Sequence, residues 1–121
     1  FLCKETTMTR EIFERWMEAL ESRKYKKGRG SLCTGDAFCC LGVLCDISGK
    51  GKWEVYKSYH HYIVDDNLSK CYAPSEVLNG DWFISYNDQC NLAQINDQND
   101  SEDFSVVIPR IREYMTPHIK D

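Results

Sequence analysis

The sequence lacks any hydrophobic run of the roughly 20 residues that a membrane-spanning helix needs, which excludes a helical span. It has no C-x2-C pair, the spacing with which structural zinc sites usually announce themselves, and no helix-turn-helix or zinc-finger pattern. Internal repeats, low-complexity tracts and interdomain linkers are also absent. Nor is there an excess of positive charge: the net charge of −4 argues against coating nucleic acid over the whole surface. No basic, apolar leader with a small-residue cleavage site opens the chain, so a cytoplasmic location and a single compact domain spanning 1–121 are expected.

What is present begins with cysteine. Seven thiols in 121 residues are many, but the number is odd and Cys39 and Cys40 are adjacent. Free thiols in a reducing compartment fit that arrangement better than a disulfide framework, and buried free cysteine behaves as a small hydrophobe. The run Phe38-Cys39-Cys40-Leu41-Gly42-Val43-Leu44-Cys45-Asp46 carries one charge, at its end. It reads as a core helix with Asp36 as its N-cap. Gly42 costs about 1 kcal/mol there relative to alanine, so a close approach of backbone is expected to explain it.

Met8, Ile12, Phe13, Trp16, Met17 and Leu20 form the apolar stripe of an earlier helix, capped by Thr7 or Thr9 and running to about Arg23. Gly30 to Gly35 suits a strand or tight connection. Trp53 to Val64, rich in aromatic and β-branched residues, is separated by Asp65-Asp66-Asn67 from Leu68 to Tyr72, which predicts a hairpin or small antiparallel sheet. Pro74 to Leu78, closed by Asn79-Gly80, predicts one short helix. Trp82-Phe83-Ile84 is a strand or buried linker, and Leu92, Ala93 and Ile95 mark a brief helix. Phe104, Val107, Ile108, Ile111 and Met115 outline a final helix that Pro109 should kink or delay. The fold class is therefore α+β: an N-terminal helix, a central cysteine-rich core helix and a C-terminal helix packed with a small antiparallel β-sheet.

The segment Lys27-Gly28-Arg29-Gly30 with Leu32, the run from Phe38 to Asp46, and Leu92-Ala93-Gln94-Ile95-Asn96-Asp97 with Phe104 together resemble a family of small uncharacterised proteins of bacteria, tailed phages and other mobile elements. The resemblance implies an intracellular accessory protein. It carries no established activity.

Candidate chemistry lies in four places. Cys39 or Cys40, near a helix N-terminus that lowers a thiol pKa, could act as a nucleophile with His60 or His61 as base, although apolar neighbours oppose ionisation. Cys33, Cys39, Cys40, Cys45, His60 and His61 are zinc-type ligands, but their C-x5-C and C-x4-C intervals do not match zinc motifs. Asp97, Asn99, Ser101 and Asp103 alternate as in a calcium loop, which then fails at Glu102, where glycine belongs, and at Ile108, where glutamate belongs; Asp100 or Ser101 is read instead as the N-cap of the last helix. Arg23, Lys24, Lys26, Lys27 and Arg29 surround Tyr25, a basic and aromatic combination suited to phosphate.

From these readings the expected ligand-binding residues are Tyr25, Lys26, Lys27, Gly28, Arg29 and Gly30, with no catalytic residue, metal or cofactor. An aromatic sheet face of Trp53, Tyr56, Tyr59, Tyr62 and Tyr72 is a second contact surface. The partner is a host protein or the phosphate of a nucleotide or nucleic acid, and no membrane. A small cysteine enzyme is the alternative.

Overall fold

The structure is a computed structural model that describes residues 8–56, 59–98 and 103–121. The capping roles expected of Thr7, Asp100 and Ser101 fall outside those residues. Helix α1 (Arg10–Glu21) starts where Thr9 accepts a hydrogen bond from the Ile12 amide (3.4 Å) and buries Ile12, Phe13, Trp16, Met17 and Leu20. Each such side chain removed from water contributes roughly 1.5–3 kcal/mol before conformational entropy is subtracted. The helix stops at Ser22, and Arg23 turns left-handed at φ 65°. Strand β1 (Met8–Thr9) pairs in parallel with β8 (Ile119–Lys120), which draws the end of the chain onto the start of α1.

After α1 the chain forms three two-residue strands, β2 (Lys26–Lys27), β3 (Cys33–Thr34) and β4 (Ala37–Phe38), with β4 central, parallel to β2 and antiparallel to β3. Because Ala37 and Phe38 extend as β4, Asp36 is too early to cap the next helix. Cys39 is the N-cap instead: its sulfur accepts from the Gly42 amide (3.4 Å), and α2 (Cys40–Ser48) follows. It ends on left-handed Gly49 (φ 65°).

Gly42 stands where α2 crosses the backbone of Leu32. A Cβ there would lie 2.0 Å from the Leu32 carbonyl oxygen, which also accepts the Cys39 amide (3.1 Å). The close approach expected from the sequence is therefore a helix resting on a carbonyl.

Strands β5 (Lys52–Tyr56), β6 (Tyr59–Val64) and β7 (Asn67–Ser69) form the antiparallel sheet. Val64 pairs with Asn67 across Asp65 and Asp66, both at positive φ, a two-residue turn in which Asn67 already belongs to the strand. The helix expected from Pro74 to Leu78 is only one turn, with the Pro74 carbonyl accepting from Val77 and Leu78, followed by a 3-10 helix at Gly80–Trp82. Trp82 closes that 3-10 helix, and Phe83-Ile84 is a linker, not a strand.

Helix α3 (Tyr86–Asp97), capped by Ser85, is three turns long, more than the brief element expected. Helix α4 (Val107–Met115) carries Pro109 in its first turn, where a missing N–H has no intrahelical partner to lose, so the proline fits without a kink. The buried faces of α1, α2, α3 and α4 meet in one hydrophobic cluster with Tyr62 and Val64 of β6.

Gly42→Ala should destabilise the protein by more than about 3 kcal/mol in urea unfolding, because backbone on both sides must move. A loss under 1 kcal/mol would contradict this contact.

Candidate functional site

The basic segment is built into the body of the protein. Tyr25 is half-buried, its hydroxyl donating to Asp46 Oδ2 (2.5 Å) and its ring edge-on to Phe38 with centroids 5.1 Å apart. Burial, then the Asp46 contact, pushes its phenol well above the ordinary tyrosine range. Lys27 is buried. The Gly28 amide donates to the Phe38 carbonyl (2.7 Å), the Gly30 amide to Asp97 Oδ1 (3.3 Å), and Arg29 Nη1 to the Asp97 carbonyl (3.3 Å). Lys26 is exposed beside Asp36, 4.0 Å away. A phosphate cradle needs free amides, and those of Gly28 and Gly30 are engaged.

Asn96, fully buried in the last turn of α3, organises this region. Its Oδ1 accepts from the Cys40 amide (3.1 Å), one of the amides at the start of α2 that no helical carbonyl can satisfy. Its Nδ2 donates to the Gly28 carbonyl (3.0 Å) and to Asp97 Oδ1 (3.0 Å). One carboxamide therefore joins α2, α3 and the glycine loop. Asp46, at the other end of the cysteine run, also accepts the Trp53 indole N–H (2.9 Å), which aligns the stack of Tyr25, Phe38, Trp53 and Tyr62.

The thiols are poorly placed for nucleophilic work. Cys39, Cys40 and Cys45 lie in the core, and among the described residues no disulfide joins them. Burial pushes the Cys39 thiol up to about 12, against a smaller lowering by the Gly42 and Leu41 amides, and holds Cys40 and Cys45 well above the usual range. Cys33 is raised to about 11, first by burial and then by the charges of Asp46 and Asp36. His60 Nδ1 is buried without a hydrogen-bond partner, and His61 Nδ1 faces the Tyr59 carbonyl (3.3 Å). Among the described residues no three His, Cys, Asp or Glu side chains converge on a metal position, and no helix is long and apolar enough to cross a membrane.

The aromatic segment divides. Trp53 and Tyr62 face inward, Tyr59 and Tyr72 are exposed, and the Tyr56 side chain lies outside the description. Sequence reasoning missed a polar cluster in which Tyr114 donates to Asp88 (2.6 Å), Asn91 donates to Tyr114 (2.9 Å) and His118 Nδ1 stands 3.6 Å from Asp88. Its one sequence signal, Ser85 three residues before Asp88, marks a helix start and nothing more.

A small α+β protein with a thiol-lined core and an asparagine-fastened loop is the class so defined. The chain belongs to the family described as domain of unknown function DUF8296, whose family model matches residues 8–114. No curated protein and no solved structure matches it.

Asn96→Ala leaves the Cys40 amide and the Gly28 carbonyl unsatisfied and should cost about 2–4 kcal/mol in urea unfolding; a loss below 1 kcal/mol would refute the bridging role. The thiols predict alkaline sensitivity. An unfolded thiol ionises near 9 and the folded ones higher, so the unfolded state releases its protons first as pH rises. Their contribution is intact below pH 9 and falls away through about pH 11–12, with on the order of 1 kcal/mol lost at pH 10 for a fully buried thiol such as Cys39. Urea midpoints measured from pH 7 to 10 should fall by less in a Cys45→Ala variant than in the parent chain, after its own lower starting stability is subtracted.

Proposed function

We propose that the protein is a non-enzymatic accessory binding protein and that it engages a protein partner of a host cell through the outward face of the β5–β6–β7 sheet. The observation that carries this reading is the asymmetry of the sheet. Strand alternation turns Trp53, Tyr62 and Val64 toward the core and Tyr59, His61, Ile63 and Leu68 outward, with Tyr59 42% and Leu68 49% exposed. Ile63 and Leu68 are paired across the ladder, and Lys52 and Glu54 border them on the edge strand. An apolar centre with a charged rim is the usual composition of a transient interface.

The buried, proton-holding thiols weigh against the alternative of a cysteine enzyme, which needs thiolate near neutral pH. A role in a phage or other mobile element rests on the motif resemblance alone, and action in the cytoplasm is proposed from the free thiols.

The test is capture of host proteins on the immobilised chain, compared with a Tyr59→Lys, Leu68→Lys variant of unchanged thermal midpoint. The reading expects a specific bound species that the variant loses at least tenfold. Equal capture by both proteins would overturn it.

A further inference from the structure

The antiparallel sheet has one open edge. Its strand order is β5-β6-β7, and just past β7 the Lys70 carbonyl accepts the Leu32 amide (2.7 Å), which ties that side to the body of the protein. On the other side the ladder fixes which main-chain groups of β5 lack a partner. Val64 and Asn67 flank a two-residue turn, so their N–H and C=O groups face each other. By alternation Tyr62 and Val64 serve β7, while Tyr59, His61 and Ile63 serve β5. Lys52, Glu54 and Tyr56 answer them, and the N–H and C=O groups of Trp53 and Val55 point away from the ladder. Among the described residues no hydrogen bond outside the ladder reaches these four groups. We infer that the partner protein adds an extended strand to β5, antiparallel to it, with apolar side chains on the inward side and a carboxylate and an ammonium on the outward side.

Three features select a strand of that pattern. The first is Val55, which alternation places on the inward side with Trp53 and which is nevertheless 63% exposed. The end of the hairpin therefore overhangs the core and leaves apolar surface beside the unpaired amides. The second is the aromatic stack. From Tyr62 on the central strand it passes to Trp53 on the edge strand and on to Phe38 and Tyr25, which are half-buried and belong to no strand of this sheet. Inward side chains of an added strand have that ring surface to rest on, and main-chain bonds with alternate side-chain contacts are how sheet edges hold peptides.

The third is charge. On the outward side β5 presents Lys52 and Glu54, both exposed and 3.4 Å apart. Charges on an edge strand discourage indiscriminate pairing, and opposite charges directly across a ladder favour one particular strand. The matching strand sets a carboxylate opposite Lys52 and an ammonium opposite Glu54. A second copy of the chain brought to the same edge carries its own Phe38 and Tyr25 to the inward side, where two sets of rings compete for one space. A lone extended segment has no such conflict.

The inference deepens the proposed partner reading and rests on it for the partner being a protein; its test needs no partner in hand. A hexapeptide blocked at both ends, Thr-Val-Lys-Val-Glu-Thr, is titrated into the whole chain and followed by amide chemical shifts and hydrogen exchange. Shifts at the Trp53 and Val55 amides should saturate, and both amides should exchange more slowly. The same peptide with both valines N-methylated should bind at least tenfold more weakly. Val55→Pro, a proline placed where the edge N–H faces solvent, should weaken binding at least tenfold with the thermal midpoint kept. A Lys52→Glu, Glu54→Lys double variant, which leaves every main-chain group in place, should instead prefer the peptide with its lysine and glutamate exchanged. Undiminished binding of the N-methylated peptide, saturable shifts confined to Tyr59 and Leu68, or a dimer of the chain paired through β5 would each overturn the inference. Peptide binding without capture of any host protein would support the edge and sink the partner reading, whereas capture without peptide binding at β5 would sink the edge alone.

Discussion

The carboxamide of Asn96 is the constraint on which the rest of the arrangement depends. It occupies a position of zero exposure and supplies an acceptor to the start of α2 and donors to the Gly28 carbonyl and to Asp97. A buried amide left unpaired costs as much as a well-packed apolar side chain contributes, so the three segments are tied to a common geometry. That tie orients α2, whose backbone then lies on the Leu32 carbonyl at Gly42, and α2 in turn presents Asp46 to Tyr25 and Trp53. The aromatic stack and the inward face of the sheet follow from it.

This geometry separates the part of the basic segment that serves the fold from the part that stands in solvent. Its middle, from Lys27 to Gly30, acts as a strap between β4 and the end of α3, with each glycine amide hydrogen-bonded inside the protein. The exposed charges before it, at Arg23, Lys24 and Lys26, share a shallow groove with Asp36 and Asp103. The cysteine-rich helix divides in the same way. Its wording suggests reactivity, yet burial makes its thiols apolar packing groups, and the Cys39 sulfur serves as a helix cap.

The sequence was most legible where one strong periodicity acted alone. The stripe of α1 and the strands of the antiparallel sheet declared themselves, and Gly42 announced a close approach because nothing else justifies glycine inside a helix. Tertiary forces hid the remainder. Asp36 outranks cysteine as a cap by intrinsic preference, but β4 displaces the helix start to Cys39. Two-residue parallel strands have no periodicity to detect. Asn96 within Leu92 to Asp97 carries no local signal of its role, since its three partners come from segments 56 and 68 residues distant as well as from its neighbour. The left-handed turn at Arg23 leaves no trace in composition at all.

Native-state hydrogen exchange of the Cys40 amide tests the central claim most directly. That amide sits at the first position of α2, has no intrahelical acceptor and donates to Asn96 Oδ1, so its protection should fall in an Asn96→Ala variant. The account predicts that the Cys40 amide exchanges as slowly as the core amides of α2, through global unfolding. Exchange of Cys40 at rates typical of a fraying helix end, with the core still protected, would contradict it.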